Sequence, residues 1–153
     1  MTTSCTTLYG KIKDIPTEDL SFRPNGYGIC IQDRKILLVK MKNTDKYFFP
    51  GGGVDKGETV TKAVIRECQE ETGSTVAIKD FLTMRESFFY YDPFDVAWHC
   101  FNFFYIIDVL SQATDFTNPD TYDEAIDGQW VEIDTLTPDQ MQAFGWEIIQ
   151  MIL

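Results

Sequence analysis

The sequence predicts an α/β or α+β domain with α/β/α layers, a mixed β-sheet held between helices. Three observations carry that expectation. β-type runs lie on both sides of one internal helical stretch, a second amphipathic stretch closes the chain, and 153 residues suffice for one core but not for two comfortable ones. No repeat, low-complexity tract or Pro/Gly/Ser linker divides the sequence, so residues 1–153 are expected to form a single domain, with 1–20 as a peripheral N-terminal segment.

In chain order, GYGICIQDRKILLVKMK reads as two β-rich runs, 27–32 and 36–41, joined around Asp33, Arg34 and Lys35 as a hairpin. From Val60 to Thr72 the period becomes helical: Val60, Ala63, Val64 and Cys68 recur on one face, Thr59 can cap the start, and Gly73 can close the end. Two long runs, 76–91 and 96–110, are rich in Phe, Tyr, Val and Ile and are separated by the turn signal DPFD, so they are predicted to pair antiparallel. The polar stretch 111–125 reads as a long loop, a kind of segment that often carries function. GQWVEIDTL (128–136) reads as a further strand. TPDQMQAFGWEIIQMIL reads as a C-terminal amphipathic helix, with Thr137 as cap, Pro138 in the first turn, and apolar Met141, Phe144, Ile148 and Met151.

Composition narrows the function classes. Hydrophobic residues make up 44% and charged residues 24% of the chain, a composition that folds in water. The formal charge of -11 repels nucleic-acid backbones, so a phosphate-bearing partner must be met by a metal ion or a few local cations, and a nucleic-acid partner is not expected. The N-terminus lacks the pattern of a signal peptide and no run approaches about 18 apolar residues, so no membrane partner and a cytoplasmic location are expected. Cys5, Cys30, Cys68 and Cys100 are scattered, without a CxxC pair, and His99 stands alone, which argues against zinc and for small buried thiols.

The segment GGGVDKGETVTKAVIRECQEETG (51–73) carries the chemistry. On a helix, Glu67, Glu70 and Glu71 stand at i, i+3 and i+4 and share one face. A solvated helix face is the plain alternative, but two details count against it. Glu70 and Glu71 lie in the last turn, where the macrodipole disfavours an anion by about 0.3 to 1 kcal/mol. Glu67 and Glu71 also repel by roughly 0.2 to 0.5 kcal/mol as an i,i+4 pair. A divalent cation with oxygen ligands reverses both signs. Gly51, Gly52, Gly53 and Gly57 leave room for a phosphate or a carbonyl ligand, although a glycine cluster alone equally suits a strand-to-helix turn.

Gly52, Glu58, Arg66, Glu67, Cys68, Glu70, Glu71 and Gly73 together resemble the Nudix box, G-x5-E-x7-R-E-U-x-E-E-x-G-U, where U is apolar, over residues 52–74. All seven fixed positions match, and the preceding FFP and the later QWVEIDTL also look like family features. Ser74 departs from the pattern by standing at its last apolar position, which bears on packing and removes no ligand.

The resemblance implies the Nudix fold and hydrolysis of a nucleoside diphosphate linked to a group X, assisted by Mg²⁺ (or Mn²⁺). It implies Glu67, Glu70 and Glu71 as metal ligands, with the Gly52 carbonyl a further one. Arg66, rotated about 100° per residue away from that face, is expected to fix glutamates by hydrogen bonds, Glu58 among them. Glu58 is expected to brace the loop, with a simple helix-start charge as the alternative. Glu71 or Glu67 is the first candidate for general base. Glu124, beside Asp123 in the later loop, is the other, with an ordinary exposed acid as the plain reading.

The group X is set outside the box, where Tyr90, Tyr91, Phe94 and Trp98 offer stacking surfaces or simply core. Tyr91 lies 17 residues beyond Ser74, a placement similar to a tyrosine of the dinucleoside polyphosphate members. Arg23, Lys40 and Lys42 are candidate phosphate contacts or solvated edge residues, and His99 is expected to be packed. The expected substrate is a nucleotide, most simply a (deoxy)nucleoside triphosphate giving NMP and pyrophosphate. Dinucleoside polyphosphates, ADP-ribose and nucleotide sugars are the alternatives within the class. A non-catalytic Nudix-like nucleotide-binding regulator is a second class, and an isomerase of the isopentenyl diphosphate type a third, though nothing marks the cysteine and glutamate pair it needs. The aromatic surface permits a homodimer.

Overall fold

The computed structural model describes residues 1–112 and 125–153, and the side chains of all of these except 125–127. Among the described residues ten strands and two α-helices follow one another: β1 (Thr2–Thr7), β2 (Ile12–Pro16), β3 (Leu20–Ile29), β4 (Ile31–Gln32), β5 (Lys35–Met41), β6 (Tyr47–Phe48), β7 (Gly51–Gly53), α1 (Val60–Thr72), β8 (Ser74–Tyr91), β9 (Val96–Gln112), β10 (Ala125–Glu132) and α2 (Gly145–Gln150). One sheet runs β2-β1-β8-β9-β3-β7 and a second runs β10-β5-β4, with β6 also on β5. β3 lies parallel to β9, and β1 parallel to β8, while β8 and β9 pair antiparallel. The expected mixed sheet and its α/β class are therefore present.

The layering can be followed along β5, because successive side chains of a strand point to opposite faces. Ile36 and Leu38 join the core that holds Ile148 and Ile149 of α2, whereas Leu37 joins the core that holds Val64 and Cys68 of α1. The α1 helix reaches its sheet closely because β3 offers glycines there. A Cβ on Gly26 would meet Val64 at 2.8 Å, and one on Gly28 would meet Val64 at 3.2 Å and Cys68 at 3.3 Å.

Thr59 caps α1 by accepting from the Lys62 N–H at 3.2 Å, and Gly73 closes it in the left-handed region at φ 68°. The hairpin between β4 and β5 turns on Asp33 and Arg34, both with positive φ, and the Arg34 guanidinium pairs with Asp134. Residues 2–16 form an antiparallel hairpin on the outer edge of the larger sheet, with Cys5 buried beneath Tyr90 and Ala97. All four cysteines are free and buried, as expected.

The C-terminal stretch differs from the single helix expected. Pro138–Gln140 form a 3-10 turn with Thr137 and Gln140 in a capping box, and α2 begins only at Gly145. Between them Met141 bridges to Tyr47, and Gln142 donates its N–H to the Tyr47 carbonyl at 2.9 Å. This pairing with β6 draws the backbone out of helical geometry, and Ala143 takes φ 48°. The strand expected over 128–136 likewise ends at Glu132, and Ile133–Thr135 form a 3-10 turn. No helix among the described residues is long and apolar enough to cross a membrane.

Candidate active site

The acidic face of α1 lies against the glycine strand β7. Glu67 and Glu71 are buried, at 6% and 4% exposure. Glu71 Oε1 accepts the Gly51 N–H at 2.7 Å, and a Cβ on Gly52 would sit 2.9 Å from Glu67 Oε1. Only glycine leaves that approach open, and it places the Gly52 backbone beside the Glu67 carboxylate.

Arg66 is the hub of this cluster. Its Nε and Nη2 bond Glu58 at 2.8 and 2.9 Å, Nη2 also reaches the Gly53 carbonyl at 3.1 Å, and Nη1 reaches Glu67 at 3.1 Å and Glu70 at 3.2 Å. The guanidinium thus bends back over the glutamate face from which helical rotation alone would turn it. The Arg66 fork, aided by the Asp55 N–H, holds the Glu58 carboxyl down to about 2, and Glu58 in turn raises Arg66. Glu58 therefore ties the loop at Asp55 to the helix.

The donor set suits a hard divalent cation: carboxylate oxygens with a backbone carbonyl alongside. Two carboxylates buried on one helix face, beside Gly51 and Gly52, where a Cβ would collide with the Gly26 carbonyl and would sit 2.9 Å from Glu67 Oε1, form a cradle of matching chemistry. Among the described residues no three acidic, cysteine or histidine side chains already stand in a metal-ligating arrangement. Instead Arg66 Nη1 bonds both Glu67 and Glu70.

Next to this cluster a cavity of about 500 Å³ opens between β3, β8 and β9 on one side and β5, β6 and the 142–144 segment on the other. Gly51, Gly52 and Glu71 form one part of its wall, so the acidic centre and the cavity share a boundary. Tyr91, Phe94 and Trp98 line it, and Tyr91 stacks on Trp98 with centroids 5.7 Å apart. Tyr90, one position along the strand, faces the opposite side and is buried, with its hydroxyl on Asp95.

Arg23 also lines the cavity, with its guanidinium 4.1 Å above the Trp98 ring. Lys40 is not brought there: its ammonium pairs with Asp45 at 3.2 Å and it does not line the cavity. His99 packs among Phe22, Phe88 and Phe101 on the other face, with Glu86 at 3.0 Å. Glu124 and Asp123 lie outside the described residues.

The structure adds residues that sequence reasoning did not single out. Asn25 and Asn102, paired across β3 and β9, form a buried polar floor with Ser87 of β8. Tyr27 stacks on Phe104 at 5.3 Å and borders the cavity beside Gly51, and burial raises its phenol. Gln142 and Phe144 arrive from the non-helical C-terminal stretch. For Asn102 the available signal was an asparagine inside an apolar strand run, where that residue is depleted, whereas Asn25 lies in the turn-like RPNG stretch and gave none.

Comparison with known proteins gives a consistent picture. The family model for the NUDIX domain matches residues 22–152. An ADP-ribose pyrophosphatase of Methanocaldococcus jannaschii is 40% identical over 86 residues, covering 54% of this chain and 48% of that protein. An RNA pyrophosphohydrolase of Aeromonas hydrophila is 47% identical over 53 residues, covering 34% of this chain and 30% of that protein. The chain thus spans about half or less of the length of these relatives. Among solved structures, a NUDIX hydrolase from Nitrosomonas europaea superposes with a TM-score of 0.68 at 20% identity, covering 86% of this chain and 88% of that one.

Proposed function

The chain belongs to the Nudix family, and from that premise we propose that it is a metal-dependent pyrophosphohydrolase acting on a nucleotide, most simply a (deoxy)nucleoside triphosphate giving NMP and pyrophosphate. One observation carries the reading: Gly51, Gly52 and Glu71 belong both to the acidic centre and to the wall of an aromatic cavity of about 500 Å³. That volume lies within the range of small-molecule sites. A nucleoside held there places its pyrophosphate against the glutamates.

In this reading residues 1–153 act as one domain, and Glu67, Glu70, Glu71 and the Gly52 carbonyl hold Mg²⁺ or Mn²⁺. The bound cation supplies charge neutralisation of the pyrophosphate and a more acidic water. The chain's own residues do the rest. Arg66 and Glu58 fix the glutamates' positions, Glu71 or Glu67 takes the proton of the attacking water, and the aromatic walls exclude bulk solvent. Arg23, held over the Trp98 ring, is a cation in the cavity wall for a phosphate or another acceptor. The four buried free thiols suit a reducing cytoplasm.

The similarity to an ADP-ribose pyrophosphatase favours ADP-ribose as a second reading. Incubating the full chain with Mg²⁺ or Mn²⁺ and a panel of nucleoside triphosphates, dinucleoside polyphosphates, ADP-ribose and nucleotide sugars separates the two. Faster turnover of triphosphates supports the first reading, and faster turnover of ADP-ribose supports the second. Absence of metal-dependent turnover across the panel would leave a nucleotide-binding regulator.

A further inference from the structure

We infer that the cavity selects nucleobases bearing a ring carbonyl over those bearing an exocyclic amino group at the same position, an inference that rests on the nucleotide-hydrolase reading. The argument is one of donors and acceptors. Arg23 Nε can only donate, so Asn25 must turn Oδ1 toward it, at 3.0 Å. Asn25 Nδ2 then donates to Asn102 Oδ1 at 2.9 Å. Asn102 Nδ2 in turn donates to the Arg85 carbonyl, which can only accept, and to Ser87 Oγ, each at 3.0 Å. Flipping either amide, or both, sets donor against donor or acceptor against acceptor, so the two ends of the chain fix every orientation.

What this floor leaves for a ligand is mostly donors. Arg23 keeps both Nη groups, which make no hydrogen bond among the described residues, while the second amide hydrogen of Asn25 and the hydroxyl hydrogen of Ser87 lie against the Cys100 sulfur, a partner that a carbonyl oxygen outcompetes. Gln142 accepts from Thr44 through Oε1 at 2.9 Å, an orientation that turns its Nε2 hydrogens away from Thr44; the Thr44 hydroxyl can also accept, so Gln142 adapts to either kind of group. Both asparagine oxygens already face a donor, and Cys100, beside Ser87 and Asn25, is a weak acceptor. The Tyr27 hydroxyl can play either part and does not discriminate.

With the exocyclic group of the base seated on the floor, a carbonyl meets these donors and an amino group sets donor against donor. The neighbouring ring nitrogen changes in the opposite sense, so the selection requires that the exocyclic group, and not the ring nitrogen, faces Arg23 and Asn25. The stacking walls accept any base, so the choice falls on the floor.

Inosine and adenosine triphosphates differ at C6, and uridine and cytidine triphosphates differ at C4, in this carbonyl-for-amino sense. The test measures kcat/KM for all four with Mg²⁺ and reads the ratio in the pair that turns over faster. The carbonyl base is expected to lead by at least about tenfold, the effect of one hydrogen bond made against one refused. A ratio within about twofold of one, or a lead for the amino base, overturns the inference and leaves the hydrolase reading standing. If none of the four turns over, the triphosphate reading fails instead. Quenching of tryptophan fluorescence by IMP against AMP then decides base preference, and equal or tighter binding of AMP overturns it.

Gln142→Glu keeps the oxygen that faces Thr44 and replaces the donor by an acceptor, and Ser87→Ala removes a donor. At least one should shrink the ratio at an unchanged melting temperature. An unaltered ratio in both overturns the assignment of these donors.

Discussion

Arg66 binds both oxygens of Glu58, Nε to Oε2 at 2.8 Å and Nη2 to Oε1 at 2.9 Å, and so joins the middle of α1 to the loop that precedes it. The Glu58 carboxyl is held down to about 2, first by this fork and then by the Asp55 N–H. A depressed carboxylate stabilises the fold above its unfolded pKa of about 4.3 and loses that contribution as pH falls through the folded value. Glu58→Gln should therefore melt below the wild type near pH 7, with the gap shrinking below about pH 4 and closing near pH 2. Melting curves across that window check it, and a gap independent of pH would mean the ion pair adds no stability.

The glutamate face predicts separable effects on activity and fold. In Glu71→Gln the amide oxygen can still accept the Gly51 N–H, and in Glu70→Gln it can still face Arg66. Each variant should keep its melting temperature within a few degrees and lose activity by about 100-fold or more, with weaker Mn²⁺ binding by about 10 to 100-fold. Full activity in both variants would remove the metal assignment.

Ser74 begins β8 at 0% exposure, and its hydroxyl has no hydrogen-bond partner among the described residues. The box places an apolar residue at this position, and the structure gives the reason: the side chain is enclosed where no described residue answers a polar group. Ser74→Ala removes an unsatisfied buried hydroxyl and should stabilise by about 1 kcal/mol, raising the melting temperature by about 2 to 4 °C. A lower melting temperature would show that the hydroxyl is satisfied in solution.

The glutamate part of the box was legible because Arg66, Glu67, Glu70 and Glu71 sit on one helix, where periodicity fixes which side chains meet. Thr59 and Gly73 marked the ends of that helix by local rules alone. The cavity floor was not legible, because Asn25 and Asn102 meet only through the β3–β9 register, which no local pattern specifies. The C-terminal helix was over-extended for a related reason. Its apolar spacing is real, but Tyr47 pairs with the backbone of Met141 and Gln142, and tertiary hydrogen bonds outweigh helical propensity there. The hairpin at Thr2–Thr7 and Ile12–Pro16 carries few alternating apolar residues and gained its strands from an edge that β8 supplies.

Trp98 supports Arg23 from below, with the guanidinium 4.1 Å above the indole, and faces the cavity together with Tyr91. Trp98→Leu removes both the stacking surface and the platform that keeps the arginine over the cavity, while leaving Arg66 and the glutamates untouched. Loss of a contact made equally in ground and transition states raises KM with little change in kcat. A stacking contact of about 1 to 3 kcal/mol corresponds to a rise in KM of about 5 to 150-fold. Steady-state kinetics on the best nucleotide substrate checks the split. A fall in kcat at constant KM would instead place Trp98 among the groups that act on the reacting phosphate.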